Sequence, residues 1–217
     1  MTGDLIPVKV LATRTIANVS QALAEKLGLR PEFRSIGILT ADSDDVTYCA
    51  LDEATKAAAV EVVYGKSLYA GAANASTALA GEVIGILAGP NPSEVKSGLK
   101  AAVAFFESGV GFRSANQDDS IIYFAHTVSR TGTYLSKAAG VKEGEALAYL
   151  IAPPLEAMVG LDEAMKAADV ELVTLFEPPS ETNFGGGLLT GTQSACDAAA
   201  AAFAEAVKAI AAHPKEV

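Results

Sequence analysis

The chain has 217 residues, of which 50% are hydrophobic, 19% charged and 6% aromatic, with no tryptophan and a formal net charge of −10. That length allows one large domain or two of about 100 residues, with ample material for a core. The acidic balance and the lack of any Lys/Arg run argue against nucleic acid or anionic membrane as partners and favour cations, small ammonium compounds included.

Cys49 and Cys196 lie far apart, with no CxxC or Cys/His ligand spacing, so buried thiols are expected rather than a disulfide framework or zinc site. MTGDLIPVKV carries no basic segment followed by a long apolar run, and no apolar stretch approaches the roughly 18–20 residues of a membrane helix. A reducing cytoplasm and no membrane span are the expectation.

In chain order, a strand is expected near the start. SQALAEKLG then reads as a short helix stopped at Gly28, and SIGILTA from Ser35 as a strand. LDEATKAAAVEVVY from Leu51 is a helix with Leu51, Ala54, Thr55 and Ala58 on one face, followed by a β-branched strand. A long loop of small and polar residues is expected from Tyr64 to Gly85, where GILAGP begins another strand. Asn91 as N-cap, Pro92 in the first turn and Glu94 then open a helix whose apolar positions are Val95, Leu99, Ala102, Val103 and Phe106. Periodicity breaks around residues 107–122.

The same series then returns. GTYLSKAAG is a helix stopped at Gly140, and ALAYLIA from Ala146 is a strand. LDEAMKAADVELVTLF from Leu161 repeats the helix and strand, and EPPSETNFGG replaces the long loop. GLLTGT from Gly187 precedes an Ala-rich helix with Cys196, Ala199, Ala200, Phe203, Val207 and Ile210 on one face. Five parallels in one order indicate duplication. The fold class is α+β: two tandem domains, residues 1–112 and 113–217, each a small sheet covered by helices on one face. The two unequal strand connections are where function is expected, since loops beyond about 12 residues are uncommon without one, and Gly185, Gly186 and Gly187 suggest a hinge.

Several chemical motifs fail on inspection. Gly65-Lys66-Ser67 lacks the earlier glycine of a phosphate loop, its place being held by Val60. Asp42-Ser43-Asp44-Asp45 opens like a calcium loop, with Glu53 at the twelfth position, but Val46 and Thr47 replace a ligand and the obligatory glycine. That cluster either caps the following helix or offers an anionic rim to a cation. His126 and His213 have no metal-site spacing, Asp118–Asp119 reads as an ordinary charged linker, and nothing joins a nucleophile, a base and an oxyanion site. No enzyme activity is expected.

LDEATKAAAVEVVY followed by an Ala-rich helix resembles the shell domain of bacterial microcompartments. ADSDDVTY from Ala41, VVYGKSLYAGA from Val62, GEVIGILAGPNP from Gly81, VSRTGTYLS from Val128, AYLIAPPLEA from Ala148 and PPSETNF from Pro178 are similar, more narrowly, to the L-type ethanolamine-utilisation shell proteins. The resemblance runs over essentially the whole chain. It implies circularly permuted tandem shell domains, a homotrimer that mimics a hexamer, and tiling with other shell proteins into the microcompartment facet. It also implies a gated central pore and smaller pores that bind ethanolamine. By resemblance, Asp44, Asp45 and Glu82 line the ethanolamine site with Phe112 and Thr182 nearby, carboxylates and a cation–π face both suiting an ammonium. Tyr69, Asn74, Asn183, Phe184, Gly185 and Gly186 are the gate-loop candidates. Lys56 and Lys166, at one repeat position, match the tiling-edge lysine, or are plain solvated lysines. Cobalamin and zinc enter by resemblance only, with no ligand pattern here. Two other readings remain beside the shell: an amine-binding sensor without assembly, and a small enzyme using Asp44, Asp45 and Glu82 as acid/base groups.

Overall fold

The computed structural model describes residues 1–68, 75–178 and 183–215. Its elements are β1 (Val10–Ile16), α1 (Gln21–Lys26), β2 (Ser35–Ala41), α2 (Asp44–Ala57), β3 (Glu61–Ser67), β4 (Val83–Gly89) and α3 (Pro92–Glu107). These are followed by β5 (Arg113–Ser114), β6 (Ile122–Val128), α4 (Thr133–Ala139), β7 (Ala146–Ala152), α5 (Pro154–Ala167), β8 (Val170–Phe176), β9 (Gly185–Gly191) and α6 (Gln193–Ala212). Apart from the two-residue β5, the order β-α-β-α-β-β-α occurs twice, so the chain is a tandem α+β protein.

Two compact units form. A first-copy unit holds Val8–Val110 and Gly132–Leu135; a second-copy unit holds Met1–Pro7, Gly111–Thr131 and Ser136–Val217. The first has the antiparallel order β1-β2-β4-β3, and the second β5-β6-β7-β9-β8. The first seven residues join the second-copy unit through backbone bonds: Gly3 N–H donates to Ser114 O at 2.8 Å and Ile6 N–H to Phe112 O at 2.8 Å.

In the first-copy unit one sheet face carries Leu39, Leu87 and two glycines. A methyl group on Gly37 would meet Val95 and Leu99 of α3, and one on Gly85 would come within 2.7 Å of Leu51 of α2. Glycine there lets both helices settle onto the strands, burying Leu51, Ala54, Val95, Leu99 and Ala102. The opposite face carries Ile36, Ile38, Ile84 and Ile86, which pack with Ala24, Leu27, Leu29 and Phe33. The expectation of helices on one face only is therefore corrected: SIGILTA is apolar on both sides, and α1 with the segment after it covers the second side.

The second-copy unit follows the same logic. Leu150, Leu161, Leu189, Cys196, Phe203 and Val207 share one core, and Gly160 brings α5 against the Phe203 ring. Both short helices end as read, at left-handed Gly28 (φ 67°) and Gly140 (φ 69°). Asn91 accepts from Glu94 N–H at 3.0 Å, and Thr192 from Ala195 N–H at 3.2 Å, as N-caps should.

One buried charge organises the outer side of α2. Asp52 has no solvent exposure. Its Oδ2 accepts from Gly132 N–H at 2.7 Å and its Oδ1 from Leu135 N–H at 2.8 Å, while Lys56 Nζ stands 3.5 Å from Oδ2. Thr55 Oγ1 accepts from Thr133 N–H at 3.1 Å. A methyl group on Gly132 would lie 2.3 Å from Thr55 Oγ1, so the backbone can approach only as glycine. Asp52→Ala strips two buried N–H groups of their acceptor and is expected to cost about 3 kcal/mol in urea unfolding of the whole chain; a loss below about 1 kcal/mol would contradict this account.

Candidate functional site

Asp44 and Asp45 form the first turn of α2, and both are buried. The helix N-terminus offsets part of the cost of burying their charge. The helix therefore begins well before the repeated LDEA segment and takes in the DSDD cluster. Asp45 N–H donates to Asp44 Oδ1 at 2.8 Å. Ser67 Oγ–H donates to Asp44 Oδ2 at 2.7 Å, and Tyr48 Oη lies 2.9 Å from Ser67 Oγ. The direction follows from counting protons: a carboxylate only accepts, so Ser67 spends its one hydrogen on Asp44 and Tyr48 must donate to Ser67. Burial holds the Tyr48 phenol protonated far beyond its usual range, which keeps that donor in place.

Ser67 ends β3, so the strand runs three residues beyond Tyr64, where the long loop was expected to start. Gly65 is not a loop residue: an added methyl would sit 2.8 Å from the Tyr134 hydroxyl, and Tyr134 packs on Tyr48 with ring centroids 6.2 Å apart. Burial pushes the Tyr134 phenol up to about 12.

Glu82 reaches the cluster from the other end of the connection. Gly81 takes a left-handed turn (φ 61°), and an added methyl would meet Ala41 O at 2.1 Å. Glu82 N–H then donates to Ala41 O at 2.8 Å, and its carbonyl accepts from Leu68 N–H at 2.6 Å. Burial first, then the Asp44 and Asp42 charges, raise the Glu82 carboxyl to about 7. Asp42 Oδ1 accepts from Lys9 N–H at 2.6 Å. The Ser43 hydroxyl, between two of these carboxylates in sequence, is buried and has no hydrogen-bond partner among the described residues.

The structure thus brings Asp44, Asp45 and Glu82 into one unit. Phe112 belongs to the second-copy unit, where it is buried against Phe124 and Phe184, with ring centroids at 5.4 and 5.8 Å. Thr182, Tyr69 and Asn74 lie outside the described residues. Asn183 has a positive φ of 65° and leads into Phe184. Gly185, Gly186 and Gly187 are not a hinge within the loop: they open β9 and are buried, pairing with Ala152, Ile151 and Leu150. Glycine is required there because an added methyl on Gly186 would meet Leu150 O at 1.9 Å.

The two lysines differ. Lys56 is mostly covered and pairs with Glu53 and Asp52. Lys166 is exposed, paired with Asp162 and with Glu163 at 3.2 Å, and lines an open depression of about 950 Å³ with Glu163, Glu205 and Ile210. Among the described residues no group of three or more His, Cys, Asp and Glu side chains could hold a metal ion, and no helix is long and apolar enough to cross a membrane.

Sequence reading missed Ser67, Tyr48 and Asp52. None carries a local signal of its distant partner: Asp52 recurs as Asp162, whose side chain is exposed.

The bacterial microcompartment (BMC) domain family model matches residues 35–115. The chain is 66% identical to the bacterial microcompartment shell protein EutL of Clostridium perfringens over 99% of both chains. It is 57% identical to that of Salmonella typhimurium over 97% of this chain and 96% of the relative. The crystal structure of the ethanolamine utilization protein EutL from Leptotrichia buccalis superposes with a TM-score of 0.98 at 69% identity over the whole of both chains.

The carboxyl of Glu82 has a pH consequence. Its folded value lies above the unfolded one, so the folded state holds the proton longer and stability falls as pH rises from about 4.5 through about 7. Thermal melts of Glu82→Gln against the parent are expected to show a smaller fall in Tm between pH 5 and 8; parallel pH profiles would refute the assignment.

Proposed function

This chain belongs to the EutL family of bacterial microcompartment shell proteins, and on that premise we propose that it is a ring-forming subunit of an ethanolamine-utilisation shell that binds ethanolamine at the start of α2. Its homologues are shell proteins rather than enzymes. Three chains supply six copies of one domain, and a closed ring is the expected symmetry for such an assembly. In this reading the ring surrounds a central pore. The connections containing Tyr69, Asn74, Asn183 and Phe184 border it as the gate, with Gly185 and Gly186 anchoring the second connection in the sheet. Lys56 and Lys166 stand at the tiling edge against neighbouring shell oligomers.

The observation that carries the ligand reading is the buried pair Asp44–Asp45 beside Glu82, which the second copy lacks. Counting from the helix starts, Pro154 and Leu155 replace the two aspartates; counting from the strand starts, Phe184 replaces Glu82. An ammonium group would form charge-assisted hydrogen bonds to Asp44 and Asp45 and stabilise ionised Glu82. Ser43 Oγ is an acceptor for the ligand's remaining donor in this proposal.

Binding then draws a proton off Glu82. Ethanolamine affinity, measured by calorimetry, is expected to rise between pH 6 and 8 with proton release near pH 6.5, and to fall at least tenfold in Asp45→Asn. Absence of ethanolamine binding at millimolar ligand would remove the site.

The shell reading has its own test. Light scattering is expected to give a trimer, and electron microscopy two-dimensional arrays that Lys166→Ala weakens without dissolving the trimer. A monomer at micromolar concentration would sink the ring, and arrays unchanged in Lys166→Ala would remove the edge role.

A further inference from the structure

The acidic groups at one end of the first-copy sheet exceed what a single ammonium can satisfy. Ala41 and Val83 are opposite partners at the end of the β2–β4 pair, and Val83 is also opposite Ser67 of β3. Asp42 and Glu82 therefore leave that end from opposite positions, where antiparallel residues stand roughly 5 Å apart. Glu82 N–H on Ala41 O at 2.8 Å keeps the two segments together. Asp44 and Asp45 follow in the first turn of α2. Like charges on opposite positions are destabilising by themselves.

These charges are not required by the scaffold. The corresponding stretch of the second copy, Ala152–Leu155, contains no acidic residue, and β9 starts at the same sheet end without one. Compensation is also missing: among the described residues, none of Asp42, Asp44 and Glu82 is in a salt bridge. Asp42 and Asp44 take neutral donors instead, Lys9 N–H, Asp45 N–H and the Ser67 hydroxyl. The charges acting on the Glu82 carboxyl are those of Asp44 and Asp42, both negative.

A second feature points to an incoming donor. Ser43 holds the N-cap position of α2, where a serine oxygen ordinarily accepts from the helix amides. It makes no such bond, and its hydroxyl has no partner among the described residues although Ser43 is only 7% exposed. This unspent polar group stands between Asp42 and Asp44 in the chain.

We infer that the site also takes short diamines, and that a dication whose two ammonium groups are joined by two or three carbons is held in preference to an amino alcohol, its first ammonium on Asp44 and Asp45 and its second on Asp42 and Glu82. The inference rests on the ammonium site proposed above and adds Asp42 to it. An amino alcohol ends in a hydroxyl, which offers one hydrogen and no charge. A diamine ends in an ammonium, which offers three hydrogens and a full charge to the same carboxyl groups. The spacer is short because residues 42 and 44 are at most about 7 Å apart along the chain.

Calorimetry on the full chain decides, with trimethylenediamine and n-propanolamine as probes. They differ only in the terminal group, and near neutral pH the first is a dication. In physiological salt, where long-range attraction to the acidic chain is screened, the diamine is expected to bind about tenfold more tightly or better. Excess ethanolamine is expected to displace it. Asp42→Asn, which keeps an acceptor for Lys9 N–H, is expected to cut the preference to roughly threefold or less. Should that variant fail to fold by circular dichroism, the parent's preference and the displacement decide alone. Where ethanolamine itself binds, three results overturn the dication assignment and leave the ethanolamine site standing: no preference for the diamine, a preference that survives in folded Asp42→Asn, or bound diamine that ethanolamine does not displace. Failure of ethanolamine to bind overturns both.

Discussion

A carboxylate fully withdrawn from water must be matched bond for bond, and Asp52 imposes that demand on everything around α2. Its two oxygens accept from Gly132 and Leu135, and Lys56 supplies the counter-charge. A buried anion of this kind is a weak source of net stability but a strict one of position, because any displacement leaves a charge or two amides unpaired. The requirement spreads outward: residue 132 must be glycine, and Thr55 must turn its hydroxyl toward Thr133. Once α2 is held along its outer face by Asp52 and on its inner face by Leu51 against Gly85, its first turn has little freedom. Asp44 and Asp45 stand on that turn. The placement of the candidate site is therefore inherited from an ion two turns further along the same helix.

Duplication explains why such a site can exist in one copy without harm to the scaffold. The two sheets keep one strand order, and the two helix pairs bury the same kinds of side chain. Change is concentrated at the ends of elements, where the sheet core is indifferent to what the side chain is. At the start of α2 stand two aspartates; at the start of α5, Pro154 and Leu155. Ahead of β4 stands Glu82; ahead of β9, Phe184, whose ring rests on Phe112. One copy has its element ends filled with carboxylates and the other with apolar groups, and each set is consistent within itself.

The regular part of this fold was open to reading because its periodicities are local. SIGILTA and ALAYLIA are β2 and β7 without a residue gained or lost, and the caps at Asn91, Gly28 and Gly140 act as their chemistry requires. A glycine in sequence does not distinguish conformational freedom from close approach. Gly65 and Gly185–Gly187 lie in strands, and the close approach of a tyrosine hydroxyl or a neighbouring carbonyl, not a hinge, is what excludes a side chain there. Nor does the sequence disclose a partner that lies far along the chain. Ser67 meets Asp44 across the sheet edge, and Asp52 meets residues beyond the end of its own copy. In sequence Asp52 is one more acidic residue on a helix, indistinguishable from the exposed Asp162 that shares its motif. Asp44, Asp45 and Glu82 were named through resemblance; why they sit together follows only from the tight turn at Gly81 and the early start of α2.

The three carboxylates are not equivalent, and the difference matters for what the cluster can do. Asp44 has both oxygens engaged, one by the Asp45 amide and one by Ser67, with Tyr48 behind it. Those two hydrogen bonds fix the orientation of its carboxyl group. Glu82 meets the opposite conditions: burial and two neighbouring aspartates raise its carboxyl to about 7. A set of fixed anions at this spacing would repel one another in the absence of a cation, and a set of neutral acids would not attract one. A carboxyl whose protonation answers to the charge beside it, as that of Glu82 does, lies between those extremes. For the ammonium site proposed above, that makes Glu82 the group whose charge would follow the ligand.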